Sequence, residues 1–282
     1  MDGIMNKNKD KNENSVIEDS VIEKVFKDLR NKNQKAFIPF VTCGFPDYDG
    51  FFSLFEALDR NGADMIEVGI PFSDPLADGP VIQTTSEIAL KNGVNTDIAF
   101  KSIDRIRKKS NKPIAIMTYF NIIYRYGLKK FLRNAKNSGV NGLIIPDLPP
   151  EEFDIYKDDF NRAGIDNIMF ASLTSSKERL KAVAEKGRGF IYCVSVKGVT
   201  GVRNDLDPEV VKFLKDLRKI TDLPLALGFG LSSEEQVKKV RDYCDGIIMG
   251  SKILSLILES QSFKDGMKSV EAFTSGINKI LK

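Results

Sequence analysis

Two carboxylates lie close together in the sequence at the end of an apolar run, where they could perform acid–base chemistry. Glu67 is embedded in the run at residues 65–70, and Asp78 lies in the compact loop at residues 71–80 that follows it. An apolar run bounded by glycine and proline is typical of a strand buried on both faces, where an ionisable group is either paired or functional. Burial would raise the pKa of Glu67 because it disfavours the charged form.

Each carboxylate also has a simpler explanation. Glu67 could be an internally paired acid, although the run itself contains no basic residue. Asp78 could serve an ordinary turn, since Asp-Gly-Pro is a common turn sequence. The loop could alternatively bind Mg²⁺, but it offers only two carboxylates and no phosphate-binding lysine beside them. We therefore expect Glu67 to be catalytic and no metal to bind, while Asp78 could be either a catalytic carboxylate or a turn residue.

The composition restricts the catalytic machinery, because the 282 residues include no histidine. A Ser-His-Asp triad, a Cys-His pair and a histidine-bearing zinc site are excluded, so proton transfer falls to Asp, Glu, Lys or Tyr. Three widely spaced cysteines, Cys43, Cys193 and Cys244, are typical of reduced thiols in a cytosolic protein. The net charge of +3 suits neither nucleic acid nor an anionic membrane, and no apolar segment approaches the roughly 20 residues of a membrane span. A small-molecule substrate is favoured.

Eight short β-rich runs alternate with amphipathic helical patterns from residue 36 onward. The runs are 36–43, 65–70, 114–119, 142–147, 167–172, 190–195, 225–230 and 246–251. Eight such units in about 250 residues predict an α/β fold, a single (β/α)8 TIM barrel. Two helical patterns between the second and third runs, near 80–92 and 96–109, predict an additional helix after the second strand. A doubly wound open sheet is the alternative, but no G-x-G-x-x-G sequence follows the first run.

The N-terminal residues differ in composition from the rest of the chain. Residues 1–15 are mostly Lys, Asn, Asp and Glu, and we expect a disordered polar extension because so few apolar side chains cannot offset the chain entropy. Apolar residues then recur at helical spacing up to Leu29, which predicts an extra N-terminal helix that could cover the bottom of the barrel. Residues 16–282 would form one catalytic domain. The extension resembles neither a secretory signal nor a typical transit peptide, so we expect a cytoplasmic protein, with a plastid left open.

Glycine-rich segments follow the last three runs, where a barrel carries its reacting groups. Residues 228–230 close the seventh run and residues 250–251 close the eighth before a helix, a position where backbone amides bind phosphate. Either segment could serve only a turn or a helix cap, but their occurrence together favours phosphate. Residues 194–203 have the length and glycine content of a lid. Three aromatic residues at strand ends are candidates for core or pocket wall: Phe40, Tyr119 and Tyr192.

Four motifs together resemble the tryptophan synthase alpha chain family: residues 37–42, 67–83, 198–201 and 228–230. The similarity runs from about residue 20 to the C-terminus, and the motif at 67–83 is the most specific. This resemblance implies a lyase of tryptophan biosynthesis that performs the reversible retro-aldol cleavage of indole-3-glycerol phosphate to indole and glyceraldehyde 3-phosphate. It also implies a beta-chain partner in an alpha2-beta2 heterotetramer. That partner would carry pyridoxal phosphate and receive indole through an internal tunnel, while this chain would hold no cofactor.

The resemblance further implies roles for single residues. Glu67 would protonate indole C3 and remove the proton of a side-chain hydroxyl, while Asp78 would accept a hydrogen bond from the indole N–H. Phe40 and Tyr119 would line the indole pocket, and Tyr192 would lie close to Glu67. Thr200 on the lid would contact Asp78 in the closed state. Phosphate contacts would come from Gly201, Gly230, Gly250 and Ser251.

Three other functions share parts of this pattern. A neighbouring phosphate-binding barrel, such as an indole-glycerol-phosphate synthase or a relative of ribulose-phosphate epimerase, would share the terminal glycines. The synthase, however, would need a catalytic lysine at a strand end. A stand-alone indole-releasing lyase would have the same site and differ only in its independence from a partner. A non-catalytic subunit that merely activates a partner would have lost Glu67 or Asp78, and both are present.

Overall fold

The computed structural model describes residues 19–194, 208–228 and 230–282. Eight parallel strands close into a barrel in which each strand pairs with the next and the eighth pairs with the first. The strands are β1 (Ala36–Thr42), β2 (Ile66–Gly69), β3 (Ile114–Met117), β4 (Gly142–Ile144), β5 (Asp166–Ser172), β6 (Ile191–Val194), β7 (Leu225–Gly228) and β8 (Gly246–Met249). The predicted TIM barrel is confirmed, and every predicted run contains a strand.

The strands are apolar because both of their faces are covered. All seven residues of β1 are buried, and so are all residues of β2, β3, β4, β7 and β8. In a parallel barrel, side chains on one face fill the interior and those on the other face contact the helices, so continuous apolar runs replace an alternating pattern. A charged residue within such a strand is therefore an exception that requires its own explanation.

Helices alternate with the strands along the chain. They are α1 (Val21–Asn31), α2 (Tyr48–Arg60), α3 (Pro80–Lys91), α4 (Thr96–Arg107), α5 (Phe120–Tyr126), α6 (Leu128–Ser138), α7 (Pro150–Phe153), α8 (Lys157–Ala163), α9 (Lys177–Lys186), α10 (Pro208–Arg218), α11 (Glu234–Val240), α12 (Ser251–Leu258) and α13 (Phe263–Leu281). Both helices predicted between β2 and β3 are present, as α3 and α4. Among the described residues, no helix combines the length and apolar character that a membrane span requires.

Two helices also follow each of β3, β4 and β8, although the sequence pattern predicted an additional helix only after β2. After β3 the reason is Gly127, which has φ +89° and separates α5 from α6. This backbone conformation is open to glycine and strained for other residues, so it ends one helix and redirects the chain into the next. After β4, α7 is only four residues long. A helix that short has no detectable apolar period.

The extra N-terminal helix, α1, covers the bottom of the barrel as predicted. It begins with a capping box in which Ser20 and Glu23 satisfy each other's backbone amides, and its buried face carries Phe26. The Phe26 ring centroid lies 5.6 Å from that of Phe190, immediately before β6. A Cβ at Gly246, the first residue of β8, would lie 3.1 Å from the Phe26 ring. The helical pattern was expected from residue 16, whereas residues 1–18, including the extension, lie outside the described residues.

Candidate active site

Glu67 lies inside the barrel on β2 and is 1% exposed. Its register neighbours are Phe40 on β1 and Ala115 on β3, neither of which can pair with a charge. Burial, and to a lesser extent the charge of Asp78, raise the pKa of the Glu67 carboxyl to about 8. Its Oε2 atom has no hydrogen-bond partner among the described residues. Within that part of the chain, therefore, the structure does not support the alternative of an internally paired acid.

Asp78 approaches Glu67 from the loop after β2. It precedes Gly79, the N-cap of α3, and is 4% exposed. Burial raises the pKa of its carboxyl to about 6, and a hydrogen bond with the Tyr119 side chain opposes part of that rise. The structure thus brings the two predicted carboxylates together, close enough for the charge of Asp78 to disfavour the ionisation of Glu67.

Because their pKa values differ, the Glu67 and Asp78 carboxyls have different protonation states at neutral pH. At neutral pH, a carboxyl with a pKa of about 8 is mostly protonated, and one with a pKa of about 6 is mostly ionised. The pair therefore provides one acid, Glu67, and one anion, Asp78. Two carboxyl groups whose environments separate their pKa values are the usual arrangement for acid–base chemistry.

Phe40, the register partner of Glu67 on β1, occupies a space that two glycines leave open. A Cβ at Gly69, the last residue of β2, would lie 2.6 Å from Cζ of Phe40. A Cβ at Gly250, just after β8, would lie 2.9 Å from Cβ of Phe40. Any larger residue at either position would displace the ring, so both glycines shape the pocket. The sequence pattern indicated Gly250 only as a phosphate contact and did not indicate Gly69 at all.

Tyr192, on β6, lies near both carboxylates. Burial and the charges of Glu67 and Asp78 raise the pKa of its hydroxyl well above the usual value. A Cβ at Gly228, the last residue of β7, would lie 2.7 Å from the Tyr192 hydroxyl oxygen, so this glycine lets the side chain cross the end of the strand. The expectation that Tyr192 lies close to Glu67 fits these interactions.

Phe170 is a further aromatic residue beside Tyr192, and the sequence pattern did not indicate it. Its ring centroid lies 4.7 Å from that of Tyr192, and the two residues are register partners on β5 and β6. It is only half-buried in a strand whose other residues are mostly buried. A partly exposed aromatic residue in a barrel strand is the signal that could have identified it, but exposure becomes visible only in the folded structure.

Tyr119, just after β3, contacts the loop that carries Asp78. Its hydroxyl accepts a hydrogen bond of 3.0 Å from the backbone N–H of Ala77, and it also hydrogen-bonds with Asp78. Its ring centroid lies 5.2 Å from that of Phe72 in the same loop. The loop is thereby held against β3 as well as β2.

The expected phosphate residues lie at the ends of β7 and β8, which are paired neighbours in the barrel. Gly230 has φ +79° and is exposed, and Gly250 is the N-cap of α12. No side chain caps this helix, so its first backbone amides, beginning with that of the exposed Ser251, are available to a ligand. Thr200 and Gly201, with the lid expected at 194–203, lie outside the described residues from position 195 onward.

The described residues do not group their potential metal ligands into a cluster of three or more. Among the described residues, no group of three or more Cys, Asp or Glu side chains has the arrangement to hold a metal ion. The three cysteines are buried and free.

Residues 26–282 match the family model described as tryptophan synthase alpha chain. The chain belongs to the tryptophan synthase alpha chain family. It is 42% identical over 260 residues to the alpha chain of a Thermoanaerobacter species, covering 92% of this chain and 99% of that one. It is 43% identical over 245 residues to the alpha chain of Clostridium beijerinckii, covering 85% and 93%.

Solved structures agree with this membership. A crystal structure of Mycobacterium tuberculosis tryptophan synthase matches with a TM-score of 0.85 and 33% identity, covering 94% of this chain and 99% of that one. The tryptophan synthase alpha subunit of Legionella pneumophila matches with a TM-score of 0.85 and 31% identity, covering 93% and 98%. The predicted family is confirmed. The chain is a carbon–carbon lyase of tryptophan biosynthesis that cleaves indole-3-glycerol phosphate, and the neighbouring phosphate-binding barrels are set aside.

Replacing Glu67 with glutamine should stabilise the fold increasingly as the pH rises. The pKa of Glu67 is about 8 in the folded chain against an ordinary 4.5, so the folded chain binds more protons between these values and loses stability as pH rises through them. Glutamine removes this loss. We expect the variant to gain on the order of 2 to 4 kcal/mol over the wild type between pH 4.5 and pH 9.

Urea unfolding of both proteins across this pH range measures the gain. Glu87→Gln, which removes an exposed carboxylate of α3, is the matched control and should track the wild type. A stability difference between Glu67→Gln and wild type that stays constant with pH would contradict the raised pKa.

Proposed function

We propose that Glu67 and Asp78 perform the cleavage of indole-3-glycerol phosphate, with Glu67 transferring protons and Asp78 balancing charge. The observation that carries this proposal is the pair of buried carboxyls at the end of β2, one with a pKa of about 8 and the other of about 6. Breaking the bond between indole C3 and the glycerol carbon requires a proton on C3 and removal of a proton from the adjacent hydroxyl. One group that first donates and then accepts can do both.

Glu67 begins the cycle protonated. It gives its proton to indole C3, which converts the ring to a cation and leaves a carboxylate. That carboxylate then accepts the proton of the side-chain hydroxyl as the carbon–carbon bond breaks, so the hydroxyl oxygen becomes the aldehyde oxygen of glyceraldehyde 3-phosphate. The bonding electrons return to the ring, indole leaves, and Glu67 is protonated again.

Asp78 stabilises the cation that forms between these two proton transfers. Its carboxylate would accept a hydrogen bond from the indole N–H, where the positive charge of the protonated ring is concentrated. Because Asp78 is buried, its negative charge acts through a medium of low polarity, where a charge placed in advance is most effective. Phe40, Tyr119 and Tyr192, together with Phe170, would surround the flat ring.

Backbone amides at the ends of β7 and β8 would hold the phosphate. Gly230, Gly250 and Ser251 supply them, with Gly201 from the segment after β6, and the uncapped N-terminus of α12 favours an anion. Thr200 would contact Asp78 when the lid closes. Anchoring the phosphate fixes the distance from that end of the substrate to Glu67, which orients the reacting carbon.

We further propose that the chain works with a beta chain in an alpha2-beta2 heterotetramer and passes indole to it. Three large apolar side chains are strongly exposed beyond the ends of three consecutive strands: Leu76 (91%) after β2, Tyr124 (74%) after β3 and Ile155 (76%) after β4. Exposed apolar residues on the segments that follow neighbouring strands are typical of a protein interface. Pyridoxal phosphate would belong to the beta chain, and this chain would use no cofactor. The buried free cysteines suit the cytoplasm.

Removing either carboxylate should abolish most of the lyase activity. We expect Glu67→Gln to lower turnover at least about 10³-fold, because no other described group can replace its proton transfers, and Asp78→Asn to lower it about 10²- to 10³-fold. Indole release from indole-3-glycerol phosphate by the purified chain measures both. Asp74→Asn, an exposed carboxylate in the same loop, is the control and should retain activity. Wild-type turnover in Glu67→Gln would remove the proposed mechanism.

A charge placed in the apolar surface should uncouple the chain from its partner. Ile155→Asp should retain the turnover of the isolated chain but lose the activation that added beta chain provides, because the interface would then bury an unpaired carboxylate. Titrating beta chain against a fixed amount of each variant gives the comparison. Val21→Asp, an exposed position on α1 at the opposite end of the barrel, is the control. Equal activation of Ile155→Asp and wild type would show that this surface is not the interface.

A further inference from the structure

Two side chains hold the Ala77–Asp78 segment from opposite directions. Nε2 of Gln83, in the first turns of α3, donates a 2.8 Å hydrogen bond to the backbone carbonyl of Asp78. The hydroxyl of Tyr119, at the end of β3, accepts a 3.0 Å hydrogen bond from the N–H of Ala77. These contacts come from two separate elements and end on adjacent residues of one irregular loop. They fix the backbone from which the Asp78 side chain projects.

The loop needs such a restraint because of the charge it carries. An ionised carboxylate in an apolar cavity is more stable in water, so a mobile backbone would let Asp78 turn outward. Oδ1 of Asp78 has no hydrogen-bond partner among the described residues. Gly79, the next residue, gives α3 no side-chain cap and adds no restraint of that kind.

We propose that Gln83 is a positioning residue for the lyase reaction: its amide holds the Asp78 carbonyl so that the Asp78 carboxylate stays aimed into the indole pocket. This inference rests on the role proposed above for Asp78. Gln83 itself is exposed, and among the described residues its side chain donates to this one carbonyl. An exposed side chain contributes little to the stability of the fold, so its loss should affect catalysis far more than folding.

Gln83→Met tests the donor, because methionine keeps the length of the side chain and removes the N–H group. We expect kcat for indole release by the full-length chain to fall about 10- to 100-fold, as for a group misplaced by about an ångström. The KM should change little because the phosphate anchor is intact, and the unfolding midpoint should stay at the wild-type value. Glu87→Met, exposed on the same helix, is the control. A wild-type kcat in Gln83→Met would overturn the inference.

Gln83→Glu distinguishes positioning from a general structural effect. A carboxyl group at this place can donate to the Asp78 carbonyl only when it is protonated. The ratio of kcat in Gln83→Glu to kcat in Gln83→Met should therefore rise as the pH falls from 8 to 5. A ratio that is independent of pH would show that donation to the carbonyl does not matter.

A double variant separates this inference from the proposed function. Because Gln83 acts through Asp78, adding Gln83→Met to Asp78→Asn should lower kcat no further. If the two residues acted independently, the two losses of kcat would multiply. A multiplied loss would overturn the positioning role. If Asp78→Asn alone keeps wild-type turnover, the proposed role of Asp78 fails. If Asp78→Asn is inactive and Gln83→Met is fully active, only the inference about Gln83 fails.

Discussion

The burial of Glu67 beside Asp78 is the constraint on which the chemistry of this fold depends. Neither carboxyl would differ from an ordinary one in water. Inside the barrel, loss of solvent raises both pKa values, and the charge of Asp78 raises that of Glu67 further. A hydrogen bond with Tyr119 lowers the pKa of Asp78 and opposes part of the rise that burial causes. The order of ionisation follows from these surroundings, and it leaves one proton donor and one anion at neutral pH.

Strand β1 lies between the two carboxylates and the proposed phosphate site. Glu67 lies on β2, while the glycines expected at the phosphate follow β7 and β8. Phe40, on the strand between β2 and β8, fills the space left by Gly69 on one side and Gly250 on the other. A substrate held at the β8 end would therefore meet the Phe40 ring before it reaches Glu67. One aromatic side chain and two glycines thus occupy the space between the proposed phosphate site and Glu67.

Much of this architecture could be predicted from the sequence, because buried strands and helices leave a pattern of apolar residues and a charged residue within such a pattern is easily seen. The eight strands, α1, and the pair α3 and α4 follow from runs and periods that burial enforces, and Glu67 stood out because it interrupts such a run. A helix as short as α7 has too few residues to show a helical spacing of apolar side chains. Gly69, Phe170 and Gln83 could not be predicted because their contacts join different elements: a glycine opposite a ring, an aromatic pair across two strands, a side chain that reaches back to a loop. The roles of all the predicted site residues, Thr200 and Gly201 among them, stay predictions.

Direct titration of Glu67 tests the central claim. Infrared difference spectra between the wild type and Glu67→Gln isolate the carbonyl band of this one protonated carboxyl. The band should be present at pH 7 and disappear with a midpoint near pH 8, the raised pKa of the buried group. A band that is already absent at pH 6 would show an ordinary, ionised glutamate and would contradict the account.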